Sequence, residues 1–374
     1  MRQPYTLGVE EEYQLIDAST GELTDLPQDG TSNPIDLGDG VTLKREFHTC
    51  AVEVDSDICT DVGQVRIRLA HSRRALNAWC QERGQAFIAA GTHPYSDWKQ
   101  TNITDAGRYL ELVDTLQDVG RGNLVFGLHV HVAVPDRERA VHILSRARAH
   151  LPHLLALSCS SPFWLGRETG MMSSRTAVFS RIPRTGIPPK FESKAAYRAY
   201  VTQLERTGCI EDATRIWWDL RLHGKFPTLE FRVCDMMPRL DDAMALVGLT
   251  QAIVATLDRL LDEDRAPEPL RRALVEENKW RAARFGMRGP LCDFDHELER
   301  QPDEFIEDLL SYVDEALDEL GSREVVEPGL RRILAEGTSS ERQLAVHQKS
   351  AGDMSAVLDS LRAETLEGLG EGAE

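Results

Sequence analysis

Between residues 124 and 134 the sequence alternates so strictly that a β-strand with one apolar and one polar face is the reading it imposes. Leu124, Phe126, Leu128, Val130, Val132 and Val134 fall on one parity, and Gly127, His129 and His131 on the other. Side chains at i and i+2 share a face of a strand. The same rule divides four more segments. In 7–15, Leu7, Val9, Tyr13 and Leu15 oppose Glu10, Glu12 and Gln14. In 228–235, Leu229, Phe231 and Val233 oppose Thr228, Glu230 and Arg232. In 216–222, Ile216, Trp218, Leu220 and Leu222 oppose Trp217, Asp219 and Arg221, and around 52–55 Val52 and Val54 oppose Glu53 and Asp55. If these strands share one sheet, its first face packs on helices and its second carries carboxylates, imidazoles and guanidinium groups.

Such a face is costly unless something neutralises it, because clustered carboxylates repel and each needs solvent, a cation or a donor. Glu10, Glu12, Glu53 and Glu230 with one imidazole supply hard oxygen and nitrogen ligands suited to Mg²⁺ or Mn²⁺. Arg232 and Arg221 on the same surface suit phosphate, which guanidinium grips bidentately. Metals beside arginines, with no thiolate ligand, point to phosphoryl transfer. Taken singly, each signal has a plainer explanation. Glu-x-Glu is often an exposed strand face, and Glu-x-Arg is often a cross-strand ion pair worth ~0.2–1 kcal/mol. The weight comes from their shared parity on separate strands.

The surrounding chain reads as mixed strand and helix without strict βαβ alternation, which favours α+β with a largely antiparallel sheet. A strand over 5–16 is followed by a Gly/Asp/Pro-rich loop at 27–40, a strand at 50–55, a helix at 62–84 and a strand at 85–91. Helices are expected at 105–120 and 136–157, then a long Ser/Gly/Pro/Arg-rich loop at 158–190, and a helix at 193–206. Single strands are expected over 215–223 and 228–235, with helices at 240–262, 268–284, 302–319, 328–335 and 340–364. The expected organisation is one domain over 1–374, with a core at about 5–290, an acidic helical part at 291–366 and a frayed tail at 367–374.

Composition closes off several function classes. The formal net charge of −18 opposes nucleic acid and anionic membranes as partners. No run of eighteen apolar residues occurs, and a strand begins almost at Met1, so the expectation is a cytoplasmic protein with neither a membrane span nor a signal peptide. Seven widely spaced cysteines without a Cys-x-x-Cys pair fit reduced thiols. Neither a P-loop nor a Rossmann glycine fingerprint occurs, and Ser158-Cys-Ser-Ser161 lies outside any nucleophile elbow. His48, His71 and His93 read as structural.

Longer motifs then come into view. Thr6-Leu-Gly-Val-Glu-Glu-Glu-Tyr13, Gly91-Thr-His-Pro94, Gly127-Leu-His-Val-His-Val132, Trp217-Trp-Asp-Leu-Arg221, Thr228-Leu-Glu-Phe-Arg-Val-Cys-Asp235 and Asn278-Lys-Trp-Arg-Ala-Ala-Arg-Phe-Gly286 follow one another in the chain. Together they resemble the glutamate–cysteine ligase type 2 family, the ATP-dependent carboxylate-amine ligases. The resemblance runs from about residue 5 to 290. It implies a fold like the glutamine synthetase catalytic domain: a curved antiparallel sheet with helices on its convex face and ATP, metals and substrate on its concave face.

What the resemblance carries over is specific. Glu10, Glu12, Glu46, Glu53, Glu230 and His129 or His131 are the implied metal ligands. Arg232, with Glu230, is the implied catalytic group at the γ-phosphate. Arg281 and Arg284 are implied nucleotide contacts beside Arg221, and Arg175, Arg181 and Arg184 in the long loop are implied to hold amino-acid carboxylates. The implied cofactors are ATP and Mg²⁺, with Mn²⁺ as an alternative, and the implied substrates are glutamate and cysteine or another amine. Glutathione biosynthesis is the implied pathway, and homo-oligomers, frequent in the family, stand as an open expectation. One departure falls at Arg221-Leu-His-Gly-Lys225, where relatives often carry an Arg-Pro-type run. The rival readings are a ligase with a different amine acceptor, a metal-dependent hydrolase built on His129 and His131, and a non-catalytic binding module.

Overall fold

The computed structural model describes residues 5–26 and 33–369, so parts of the expected 27–40 loop and of the tail lie outside the described residues. Eight strands form one sheet: β1 (Leu7–Asp17), β2 (Ile35–Gly38), β3 (Val41–Arg45), β4 (Ala51–Asp55), β5 (Gln85–Ile88), β6 (Gly127–Ala133), β7 (Leu220–Leu222) and β8 (Thr228–Asp235). They run in the order β7-β8-β6-β1-β4-β3-β2, with β5 pairing the C-terminal end of β1. Every pairing in this sheet is antiparallel. The fold is α+β, as the strand and helix pattern required.

Eleven longer helices are α1 (Val62–Gln81), α2 (Gly107–Leu116), α3 (Arg137–Ala147), α4 (Leu151–Ser158), α5 (Lys194–Arg206), α6 (Leu240–Asp262), α7 (Arg272–Phe285), α8 (Pro302–Glu319), α9 (Arg323–Glu336), α10 (Ser339–Lys349) and α11 (Met354–Leu366). The apolar parity of the strands meets α1, α3, α4 and α6 in one core, in which Leu7, Val52, Val130, Leu229 and Phe231 are buried. Helix α6 is long and apolar enough to cross a membrane by length and composition, yet 83% of its most apolar window is buried inside the protein. It is the central core helix, onto which α8 and α9 pack.

Antiparallel pairing places directly opposed residues on the same face, and here it lines up the ionisable parity of six strands in three transverse rows. Arg221 opposes Glu230, which opposes His131. His129 opposes Glu10, which opposes Asp55. Glu12 opposes Glu53, which opposes Lys44.

Several boundaries differ from the sequence reading. The 215–223 segment is two pieces: Trp217–Trp218 pairs in parallel with Thr185–Gly186, and only Leu220–Leu222 joins the main sheet. The helix expected over 136–157 is interrupted by a 3₁₀ turn at Arg148–His150, just ahead of Pro152. Proline lacks the N–H that a continuous helix would use. A turn at 350–353 divides the helix expected over 340–364. The β2–β3 hairpin fills part of the region read as loop, and the long loop holds a short helix, Ser174–Phe179.

Candidate active site

On the ionisable face, Glu10 accepts from both imidazoles, Oε2 from His129 Nδ1 at 2.9 Å and Oε1 from His131 Nε2 at 3.1 Å. Glu12 takes the Gly127 N–H at 2.5 Å and lies 3.9 Å from His129 Nε2. Glu53 is held by Lys44 Nζ at 3.1 Å. Glu230 receives Arg221 through Nε at 2.7 Å and Nη2 at 3.0 Å, and Arg232 Nη1 at 2.5 Å. Donor atoms of Glu10, His129 and Glu230 lie within 4.8 Å of one another, as do those of Glu12, Glu53 and His129, and those of Glu10, Glu53 and Asp55. A hard divalent cation takes such donors.

The electrostatics separate these carboxylates into two kinds. Burial, then the charge of Glu46, raises Glu12 to about 7. Burial and the charges of Glu10 and Glu46 push Glu53 well above the ordinary range, and Glu46 is raised chiefly by burial, against the pull of Arg108. Burial acts on Glu10 and Glu230 as well, but hydrogen bonds from His129 and His131 hold Glu10 low, and Arg232 and Arg221 do the same for Glu230. Burial and the nearby Arg232 cation lower His129 to about 4, leaving its ring neutral and able to ligate. Repulsion among Glu12, Glu46 and Glu53 is what a bound cation would relieve.

A register shift in β8 between Phe231 and Cys234 inserts a bulge at Arg232. Bulges re-aim side chains beside active sites, and here the Arg232 cation lies close enough to Glu12, Glu46 and His129 to act on all three. Arg175, on the short helix Ser174–Phe179, is buried and donates to the Arg232 carbonyl at 3.0 Å and the Val233 carbonyl at 3.3 Å. Buried Asp235 anchors that loop: it accepts from Ser160 N at 2.9 Å and from the Ser161 and Ser173 hydroxyls at 2.7 Å. Gly127 must lack a side chain, since a Cβ there would stand 2.3 Å from Arg175 Nη2 and 3.1 Å from His129 Nε2.

A cavity of about 660 Å³ lies on this face and is lined by Glu10, Glu12, Glu46, Glu53, His129 and Arg232 among others. A smaller, more apolar pocket of about 180 Å³ adjoins it through Glu12, Glu46, His129, Trp217 and Arg232, and Arg175 lines that part. Sequence reasoning missed Lys44, Arg45, Arg108, Tyr109 and Arg215 in the larger cavity's wall. Lys44 and Arg45 end β3, a strand that the sequence pattern does not reveal; Arg108 and Tyr109 come from α2 and Arg215 from a 3₁₀ turn, where no pattern marks them.

The remaining candidates sit further out. His131 is turned between Glu10 and Thr228 Oγ1, at 3.1 Å from each, and does not line the larger cavity. Arg181 donates to the Gly122 carbonyl at 2.8 Å, and Arg184 donates to the Arg215 carbonyl at 3.0 Å with its guanidinium over the Trp217 ring. Arg281 pairs with Glu277 and Glu299, and Arg284 donates to the Gly170 carbonyl. None of these four arginines lines either part of the cavity.

Two solved structures share this α+β fold. A bifunctional glutathione synthetase from Pasteurella multocida matches with a TM-score of 0.69 and 16% identity, over 97% of this chain and 53% of that one. A glutamate–cysteine ligase from Francisella tularensis, solved in complex with AMP, matches with a TM-score of 0.68 and 12% identity, over 99% and 90% of the two chains. The chain belongs to glutamate-cysteine ligase family 2, whose model matches residues 6–360. Relatives bearing the name "Putative glutamate--cysteine ligase 2" include one from Sorangium cellulosum, 45% identical over 98% of this chain and 97% of its own, and one from Roseiflexus sp., 44% identical over 98% and 96%. It is thus an ATP-dependent ligase forming a carbon–nitrogen bond.

Proposed function

We propose that the chain joins the γ-carboxylate of glutamate to the amine of cysteine, forming γ-glutamylcysteine while ATP becomes ADP and phosphate. The observation that carries this reading is the convergence of Glu10, Glu12, Glu53, His129 and Arg232 at one cavity, with a Glu230 oxygen within 4.8 Å of Glu10 and His129 behind it, in a chain of this family. The donor set fits a hard cation: Glu10, Glu12, Glu53, His129 and Glu230 would hold Mg²⁺ or Mn²⁺, which when bound offsets the negative charge of phosphate oxygens.

The chain's own groups account for the rest. Arg232, fixed by Glu230, stabilises the γ-phosphoryl group as it passes to the glutamate carboxylate, and ADP leaves an acyl phosphate. Arg221 locks the other side of Glu230, so the pair of guanidiniums is set before substrate arrives. Such preorganisation is usually the largest contribution to rate. Arg175, in the adjoining pocket, is the group we assign to a substrate carboxylate. The cysteine amine then attacks the acyl carbon, phosphate departs and the amine proton is lost. No protein nucleophile is needed, and positioning of the reactants supplies much of the acceleration.

The test is to incubate the protein with ATP, Mg²⁺, glutamate and single amino acids while following ADP and phosphate. ADP release that requires both glutamate and cysteine supports the proposal. Release with another amine in place of cysteine overturns the acceptor. Hydrolysis without ATP would indicate a metal hydrolase, and no turnover with any pair would indicate a binding module.

A further inference from the structure

Asp235, the last residue of β8, is fully buried at the centre of a polar network that the proposed chemistry does not use. Behind Ser160, Ser161 and Ser173, which donate to its carboxylate, stands a further tier supplied by α10. Ser340 Oγ accepts the Ser161 N–H at 3.0 Å and donates to the Met172 carbonyl at 2.6 Å. The Ser340 N–H goes to the Cys159 carbonyl at 3.0 Å. Ser160 Oγ donates to Ser339 Oγ at 2.9 Å, and Gln343 Nε2 donates to the Ser160 carbonyl at 3.1 Å. All these side chains are buried, and none lines either part of the cavity. Buried hydroxyl pairs add only modestly to stability, but a fully paired network holds its members in one geometry.

What this network holds is Arg175. Ser161 Oγ accepts the Arg175 N–H at 3.1 Å. Ser173, itself bonded to Asp235, caps the short helix by accepting from Thr176 N at 3.2 Å. A helix of 6 residues has little stability of its own, so these tertiary bonds decide where it lies. Asp235 Oδ1 stands 4.0 Å from Arg175 Nη1, near enough to balance the charge without taking the N–H. Nη1 and Nη2 each give an N–H to a β8 carbonyl, of Val233 and Arg232, and each carries a second. Arg175 also lines the smaller pocket, so it is the point at which the network meets the cavity.

We propose that Asp235 and Ser340 are positioning residues for substrate recognition, which hold the Arg175 guanidinium in the orientation that grips a substrate carboxylate. The C-terminal helical part thereby takes part in recognition through α10, although none of its described residues lines the cavity. The inference rests on the reading of Arg175 given above. It assigns Asp235 and Ser340 no contact with substrate; they act through Ser161, Ser173 and the short helix.

Steady-state kinetics with glutamate, cysteine, ATP and Mg²⁺ test it on the full chain and on Arg175→Lys, Ser340→Ala and Asp235→Asn. Arg175→Lys identifies the amino acid whose KM depends on the guanidinium. Ser340→Ala should raise the KM for that same amino acid about 10-fold, with kcat and the KM for ATP within about twofold of the parent. Asp235→Asn keeps the shape at the centre of the network and should raise that KM further. A merely structural role would lower Tm and turnover and would not single out one KM. The inference is overturned if Ser340→Ala leaves that KM unchanged or moves the KM for ATP as far. If Asp235→Asn does not fold, Ser340→Ala decides alone. If Arg175→Lys alters neither amino-acid KM, the assignment of Arg175 fails; if this pair gives no turnover, the ligase reading fails. The inference falls with either.

Discussion

Glu230 is only 1% exposed, yet Arg232 and Arg221 keep its carboxylate ionised against the effect of burial. One side chain thereby orients two cations and still offers an oxygen within reach of Glu10 and His129. Glu230→Gln keeps the shape and removes the charge. We expect turnover to fall roughly 100-fold or more, with an unchanged far-UV circular dichroism spectrum; activity near that of the parent would remove Glu230 from the machinery. Glu230 and Arg232 were legible in the sequence because strand parity alone puts them on the polar face. Arg108 and Tyr109 were not, since nothing local to α2 says that it borders the sheet. Arg281 and Arg284 show the same limit from the other side: three-residue spacing puts them on one helical face, but sequence does not say which face meets the cavity.

At the scale of elements, β1 departs from its own pattern at Glu11. This carboxylate sits on the apolar parity, fully buried, and pairs with Arg73 of α1 at 2.5 Å. Arg73 also donates to the Pro238 and Thr365 carbonyls, so it ties strand, helix and the C-terminal α11 together. Strand parity does not account for Glu11, because a buried charge becomes sensible only when its partner, 62 residues away, is known. Removing one member of a buried pair leaves the other uncompensated, at about 3–5 kcal/mol. Arg73→Met should therefore lower unfolding free energy by about that amount in urea titration, and a loss below about 1 kcal/mol would contradict the clamp. The main strands were readable from alternation. The β2–β3 hairpin was hidden by a Gly/Asp-rich stretch, and the split of 215–223 depends on a tertiary pairing with Thr185–Gly186.

For the whole molecule, a net charge of −18 coexists with a cavity whose wall carries Lys44, Arg45, Arg108, Arg215, Arg221 and Arg232 among its acids. Six basic groups thus line the cavity where phosphate would lie, in a chain whose net charge is acidic. The raised carboxylates make a global prediction. Without added divalent cation, the folded protein keeps protons on Glu12, Glu46 and Glu53 that the unfolded chain releases above about pH 4.5. Stability from this source is complete below about pH 4.5 and, for Glu12, is lost as pH rises through about 7. Mg²⁺ would bind the deprotonated groups, so on this account it should raise Tm more at pH 8 than at pH 5. An equal increment at both would contradict the linkage.

The most direct measurement is anomalous diffraction from crystals grown with Mn²⁺ and a non-hydrolysable ATP analogue. Manganese peaks are expected within coordination distance of Glu10, Glu12, Glu53, His129 and Glu230, with the γ-phosphate beside Arg232. Manganese bound elsewhere, or a nucleotide seated away from this face of the sheet, would contradict the account.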